Sequence, residues 1–359
     1  MIDPIAFSVE HKHEQVESIF DRETGLRACI AIHNTKRGPA LGGARLWRYE
    51  SAQAGLLDVL RLSEGMTYKA AVAGLPFGGG KTVILADGQE QDAVIRAARF
   101  LALGRAVEAL GGRYITAEDV GTTPADMMQM RQVTRFALGA PREQGGGGDP
   151  SPMTAFGVLC GIRALIETVL ERETLAGVRV AIQGLGKVGM SLAEQLLGEG
   201  AVVIGSDVRP QVVEEARSRL KITVVEPEVI YEVPCEVFAP CAMGAVLNDR
   251  TIPRLACRVI AGSANNQLEE PRHAEMLETR QIVYAVDYVI NSGGLINVAS
   301  EFEGYNEQKA RARTAQIYDT IKRMLLIARE QGISTERAAH QIALEALGEE
   351  SRERVSASA

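Results

Sequence analysis

Residues 178–207 read VRVAIQGLGKVGMSLAEQLLGEGAVVIGSD, and no other stretch restricts the fold so far. An apolar run leads into Gly184, Gly186 and Gly189 in the spacing GxGxxG. An amphipathic segment follows, then a second apolar run that ends on Asp207, 23 residues after Gly184. The glycine spacing alone is a weak signal. Placed between a strand and a helix and answered by an acid at the end of the next strand, it specifies a βαβ unit that binds a dinucleotide. Gly184 permits the tight turn, Gly186 lets the backbone approach a pyrophosphate, and Gly189 lets helix and strand pack closely. The helix N-terminus, with Leu185, Lys187 and Val188 in the same turn, offers its positive end to the phosphates. Asp207 would accept hydrogen bonds from ribose hydroxyls, and its charge would repel a 2′-phosphate. NAD is therefore favoured over NADP, a preference tempered by Arg209 two residues on.

The alternation of strand and helix continues through CEVFAP (235–240), RVIAGSA (258–264) and IVYAVDYVI (282–290). Near-continuous apolar strands between helices predict a parallel, doubly wound α/β sheet. Upstream, EQGGGGDPSP (143–152) holds four successive glycines and two prolines, a composition that a helix or central strand would not carry. It reads as an interdomain crossing, with Ser151 or Thr154 capping the next helix. The expected organisation is an α/β domain over 1–144, a dinucleotide-binding domain over 145–334 and C-terminal helices (335–359) packing back on the first. A length of 359 residues suits two domains.

Bulk properties exclude several classes. A net charge of −7 argues against a nucleic-acid or anionic-membrane surface. The start shows no basic region followed by an apolar one, so no secretory signal is expected. The apolar segment 153–170 is interrupted by Arg163 and Glu167, which favours a buried helix over a membrane span. Five cysteines without CxxC spacing fit reduced thiols in a cytoplasmic protein, and five scattered histidines suggest no metal site.

In the first domain, MTYKAAVAGLPFGGGKTV (66–83) places Lys69 and Lys81 around the run Gly78-Gly79-Gly80. The end of this stretch imitates a phosphate-binding loop, but five residues separate Gly74 from Gly80 where that motif needs four. Helical sequence precedes it and the strand-like Thr82–Leu85 follows, the reverse of a phosphate loop. A lone lysine is ordinarily a solvated surface group. Here three glycines offer little side-chain cover and permit close backbone approach. One ammonium could hold a substrate carboxylate. A second, pushed toward neutrality by its like-charged neighbour and by desolvation, could act as a base, and Asp119 follows a short strand nearby in sequence.

Taken together, GPALGGAR, MTYKAA, GLPFGGGK, ITAEDVGT, GLGKVG, APCA, GSANNQL and DYVINSGGLINV resemble, in order, the amino-acid dehydrogenases of the glutamate, leucine, phenylalanine and valine group. The resemblance runs from about residue 20 to about residue 345. It implies a substrate and oligomerisation domain and a Rossmann-type domain with a cleft between them. Lys69 would bind the α-carboxylate, Lys81 would be the catalytic lysine, and Asp119 would exchange a proton with the amino group. Gly42 and Gly43 would pass close to the substrate. Asn265 would lie near substrate and nicotinamide, with Thr154 and Ala242 on the cofactor side. The implied reaction is reversible oxidative deamination of an amino acid to a 2-oxo acid and ammonia. A homo-oligomer is implied as well, often an octamer in leucine-type members.

Members acting on glutamate resemble this chain at GLPFGGGK but carry a lysine where Leu41 stands. A buried distal carboxylate without a partner would cost several kcal/mol. The side-chain pocket implied by the resemblance, Leu41, Ala117, Leu295 and Val298, is apolar. It suits leucine, with valine and isoleucine turned over too, since a methylene is worth only about 1–3 kcal/mol. Phenylalanine is the rival substrate, and a non-catalytic NAD-binding protein the rival class. Phe77-Gly78-Gly79-Gly80 is glutamate-like and Ser292 replaces the usual alanine, departures that bear on substrate choice rather than reaction class.

Overall fold

The computed structural model describes residues 3–348, which divide into two compact units. The first contains the chain up to Asp149, Val298–Glu307 and the segment from Ala343; the second contains Pro150–Asn297 and Gln308–Ile342.

In the first unit, helix α1 (Pro4–Glu10) precedes strands β1 (Gln15–Phe20), β2 (Arg27–Asn34) and β3 (Ala40–Trp47). Helix α2 (Ala52–Val72), strand β4 (Gly78–Leu85), helix α3 (Ala93–Ala109), strand β5 (Tyr114–Glu118) and helix α4 (Pro124–Arg131) complete it. The strands form one sheet in the order β1-β2-β4-β3-β5. β1 and β2 pair antiparallel, as do β2 and β4, whereas β3 lies parallel to both β4 and β5. Helix α2 starts at Ser51, whose side chain accepts from the N–H of Ala54, and packs on β4 and β2 through Val59 and Leu60.

Strand β4 begins four residues before Thr82, at Gly78, so the glycine run is itself strand. The reason is steric. A Cβ on Gly79 would lie 2.1 Å from the Thr67 nitrogen of α2, one on Gly78 would lie 1.8 Å from the Asn34 carbonyl oxygen, and one on Gly80 would enter the Tyr114 ring. These glycines permit the close backbone approach expected of them, but what approaches is a helix and neighbouring strands, a demand internal to the fold.

In the second unit the elements run α5 (Ser151–Leu170), β6 (Arg179–Gln183), α6 (Lys187–Gly198), β7 (Val202–Ser206), α7 (Pro210–Glu215), β8 (Thr223–Val224), β9 (Val237–Pro240), β10 (Val259–Ile260), α8 (His273–Thr279), β11 (Val283–Tyr284) and α9 (Asp287–Ile290). Helix α10 (Gly293–Ala299) carries the chain from this unit to the first. α11 (Glu307–Ala315), α12 (Ile317–Gln331) and α13 (Thr335–Leu347) follow. The sheet order is β11-β10-β9-β6-β7-β8, all parallel. Counted from β6 as first strand, this is 3-2-1-4-5-6, the doubly wound dinucleotide-binding order. The run IVYAVDYVI supplies only the short β11 and then turns into α9.

Three expectations about the crossing need correction. Gly139, Ala140 and Gly147 donate backbone N–H groups to the Glu301 carboxylate at 2.9, 3.3 and 2.8 Å, so the glycine stretch is tied into the first unit. The division accordingly falls after Asp149 and not after residue 144. Pro150 is the N-cap of α5, without a side-chain cap; the Thr154 hydroxyl instead donates to the Pro150 carbonyl at 3.0 Å. Of the C-terminal helix, residues up to Ile342 cluster with the second unit and those from Ala343 with the first, where Arg37 donates to the Ala346 carbonyl at 2.6 Å. Residues 349–359 lie outside the described ones. Helix α5 has the length and apolarity of a membrane span, but it is mostly buried, with Ile317 and Ile290 seated against its Gly157 and Gly161.

Candidate active site

The first unit gathers charge at the ends of its central strands. Lys81 on β4 is buried, and its Nζ lies 2.8 Å from Asp119 Oδ2, just past β5. Arg45 on β3 donates from Nε to the same oxygen at 3.0 Å and reaches Asp58 Oδ2 at 3.3 Å, where the Tyr49 hydroxyl also donates. Parallel registry explains the convergence: Gly43 pairs with Ala117 and Ala44 with Glu118 on β5, while Ala44 also pairs with Thr82 on β4. The Asp119 turn is fixed by Thr122, whose hydroxyl accepts from the Asp119 N–H and donates to the Ala44 carbonyl. Burial pushes the Asp119 carboxyl up, but Lys81 and Arg45 outweigh it and hold the group below the usual carboxylate range. It is ionised at neutral pH. Both cations hold Oδ2.

Arg45 is the residue that sequence reasoning missed. Its signal was a charge at the end of GPALGGAR, inside what proves to be a buried strand. The expectation that Lys81 is pushed toward neutrality by a like charge left out its nearest charged neighbour, which is the Asp119 carboxylate. Lys69 sits half-buried in the last turn of α2, two residues after the Thr67 that abuts Gly79. Leu41 is fully buried, paired with Gly79 on one side and Ile115 on the other, and Ala117 is buried two residues along β5. A Cβ on Gly42 would meet the Gly80 carbonyl oxygen at 1.7 Å, and one on Gly43 would meet Asp119 Cβ at 2.7 Å. Close strand packing therefore already accounts for both glycines. Val298 and Leu295, both half-buried on α10, fall in the first and second units respectively.

In the second unit the β6–α6 turn carries Gly184, Leu185, Gly186, Lys187, Val188 and Gly189. Gly184 has φ +95, and a Cβ there would strike Ala242 at 2.5 Å. One on Gly189 would sit 2.0 Å from the Gly184 carbonyl oxygen, which is the helix–strand closeness expected of that position. Gly186 differs: nothing lies nearer than 3.7 Å to its absent Cβ. It is the N-cap of α6 with no side-chain cap, so room and helix N–H groups are available there. At the end of β7, Asp207 accepts from the Leu185 N–H at 2.9 Å and is paired with Arg209, whose guanidinium holds its carboxyl below the usual range.

Asn265 is exposed, and its Oδ1 accepts from Asn291 Nδ2 at 2.7 Å. Buried Asn291 also donates to the Ser263 carbonyl at 3.2 Å, which fixes the amide nitrogen on this side. The Asn265 amide is thereby oriented with its Oδ1 toward Asn291. Gln267, fully buried, ties the same loop by donating to the Gly262 and Ala264 carbonyls at 3.0 and 2.9 Å. Neither Asn291 nor Gln267 was singled out from sequence. No group of three or more metal-ligating side chains occurs among the described residues.

Two family models match: "Glu/Leu/Phe/Val dehydrogenase, dimerisation domain" over residues 11–136, and "Glutamate/Leucine/Phenylalanine/Valine dehydrogenase" over 145–216 and 206–354. The chain is 49% identical to a leucine dehydrogenase of Geobacillus stearothermophilus over 335 residues, 93% of this chain and 90% of that protein. It is 46% identical to a phenylalanine dehydrogenase of Bacillus thermotolerans, covering 95% and 90% of the two chains. The crystal structure of L-tryptophan dehydrogenase from Nostoc punctiforme superposes with a TM-score of 0.85 at 42% identity, covering 96% and 98%.

Proposed function

The chain belongs to the glutamate/leucine/phenylalanine/valine dehydrogenase family, and on that premise we propose that it carries out reversible, NAD-dependent oxidative deamination of leucine and similar branched aliphatic amino acids. The observation that carries the reading is the ion pair between buried Lys81 and half-buried Asp119, 2.8 Å apart, with Arg45 on the same carboxylate oxygen. A largely buried ion pair is poor stability engineering, because the desolvation of both charges offsets most of their attraction. Its presence asks for a chemical reason.

Lys69, in the last turn of α2, binds the α-carboxylate. Asp119 presents its carboxylate to the amino group and takes its proton, leaving the nitrogen lone pair free. NAD, held at the β6–α6 turn, would supply the acceptor for the α-carbon hydride. Lys81, as the free amine, then takes a proton from the water that attacks the resulting imino carbon, Asp119 returns its proton to the departing nitrogen, and the carbinolamine hydroxyl proton passes to solvent as the carbonyl forms. Ammonia and a 2-oxo acid result. Arg45 holds Oδ2 and so fixes the orientation of the carboxylate. For the cofactor, the fit rests on the roomy Gly186 N-cap, the uncapped start of α6, and Asp207 fastened to the same turn through Leu185.

Leucine is favoured over a diacid because fully buried Leu41 and buried Ala117 provide no charge for a second carboxylate. Phenylalanine remains the rival substrate, given the similarity to phenylalanine and tryptophan dehydrogenases. Self-association through the first unit is part of the reading, since residues 11–136 match a dimerisation domain. The purified chain should form NADH fastest with leucine, valine or isoleucine, more slowly with phenylalanine, and negligibly with glutamate. Fastest turnover on glutamate, or none on any amino acid, would overturn it.

A further inference from the structure

The hydrogen bonds around Asp207 carry a consequence for cofactor choice, which rests on the cofactor reading above. Oδ1 accepts from the Arg209 backbone N–H and from Arg209 Nε, both at 2.9 Å. Oδ2 accepts from the Leu185 N–H and from Arg209 Nη2, again both at 2.9 Å. A carboxylate offers about four acceptor positions, and all four are filled. Two belong to backbone groups and cannot leave while the turn is intact. The other two belong to one side chain that is 56% exposed. A ribose diol that seeks hydrogen bonds from Asp207 has to displace the Arg209 guanidinium.

The same guanidinium lies where a dinucleotide would run. Arg209 Nη2, at 3.7 Å, is the nearest atom to the missing Cβ of Gly186, the glycine with room for a pyrophosphate. Among the described residues Asp207 is the only partner of the Arg209 side chain, so its release breaks one partly exposed ion pair and nothing else. The Asp207 side chain is only 6% exposed and the contact is a bidentate fork, but the guanidinium end lies in solvent, so the arm can leave without unfolding the turn. Once released, the fork is a ready bidentate ligand for a phosphate.

We propose that Arg209 is a second determinant of cofactor choice: it competes with the adenosine ribose for Asp207 and lends the site an affinity for a 2′-phosphate that Asp207 alone would abolish. The competition costs NAD about 2–5-fold in affinity, the strength of an ion pair whose guanidinium end lies in solvent. The phosphate contact favours NADP by about tenfold, the strength of one charge-assisted fork.

Calorimetric titration of NADH and NADPH into the intact protein and into Arg209→Ala and Arg209→Lys tests this by binding alone. The unaltered protein should bind NADH more tightly than NADPH, yet bind both. Arg209→Ala should bind NADH about 2–5-fold more tightly and NADPH about tenfold more weakly. Arg209→Lys, which keeps the charge and loses the fork, should retain part of the NADPH affinity. An unchanged melting temperature would show that folding is not the cause. NADH binding that is equal or weaker in Arg209→Ala, with NADPH unaffected, would reduce Arg209 to a surface ion pair and overturn the inference. Failure of the unaltered protein to bind either nucleotide would instead defeat the cofactor reading, and the inference with it.

Discussion

Replacing Gly79 by alanine puts the account of the lysine site under direct strain. The new Cβ would lie 2.1 Å from the Thr67 nitrogen, 2.2 Å from its hydroxyl oxygen and 2.5 Å from its Cα, where contacts below 3.0 Å are not tolerated. Two of those atoms are backbone, so no rotamer change relieves the clash. Strand β4 cannot retreat, because Gly79 is paired with Asn34 on β2 and with Leu41 on β3. Helix α2 must therefore withdraw by about 1 Å, an overpacking strain of about 1–3 kcal/mol. At about 2–4 °C per kcal/mol for a domain of this size, the melting temperature should fall by about 2–12 °C. Lys69 rides on α2 and moves with it, whereas Lys81 stays on β4 with Asp119. A misplacement of about 1 Å can cost about 10²-fold, so KM for leucine should rise by about ten- to a hundredfold and kcat should fall less. Thermal unfolding and steady-state kinetics on the same preparation measure both. A variant with an unchanged melting point and an unchanged KM would refute the claim that the glycine exists to seat α2 against β4.

Asn291→Ala removes the donor that orients the Asn265 amide. KM for leucine should rise by about five- to twentyfold with kcat less affected, a hydrogen-bond-sized loss of about 1–2 kcal/mol; an unaltered KM would remove Asn291 from the site. Leu41→Lys should lower turnover of leucine and raise that of glutamate, and no gain on glutamate would show that position 41 does not face the substrate side chain. Burial lowers the pKa of His33 to about 4, and its ring is held by the His11 carbonyl and the Thr67 hydroxyl. The unfolded chain takes up that proton near pH 6.5, so the contribution is complete above 6.5 and is lost as pH falls toward 4, by about 3 kcal/mol. In urea unfolding, the stability advantage over His33→Gln should shrink by about that amount between pH 7 and 4, and a constant advantage would contradict it.

The second unit was the more legible half because its strands are continuous apolar runs and its turn has a fixed glycine spacing. Helix α6 and the place of Asp207 were readable to the residue. The first unit hides its logic in long-range pairings. Strand β1 alternates between half-buried and exposed residues, and β3 is rich in small residues, so neither announces itself. The strand-like run was read from Thr82 and not from Gly78, because local propensity carries no information about Thr67 or Tyr114 pressing on the glycines. Lys81 and Asp119 were singled out from the motifs that hold them. Their shared partner Arg45 was not, because only the registry of β3 between β4 and β5 brings it to the same oxygen. Asn291 and Gln267 act through a few hydrogen bonds across a loop and leave no periodic trace.

The central claim is that Lys81 does chemistry while Lys69 holds substrate. Comparing kcat and KM for leucine in Lys81→Ala and Lys69→Ala, with folding of both verified by circular dichroism, tests it most directly. Lys81→Ala should lose about 10²–10⁴ in kcat, the worth of a positioned acid–base group, with KM changed little. Lys69→Ala should chiefly raise KM, because its contact is present before and during the reaction. A Lys81→Ala variant that keeps its kcat and shows only a raised KM would contradict the account, leaving Lys81 a binding residue and Asp119 the group to test next.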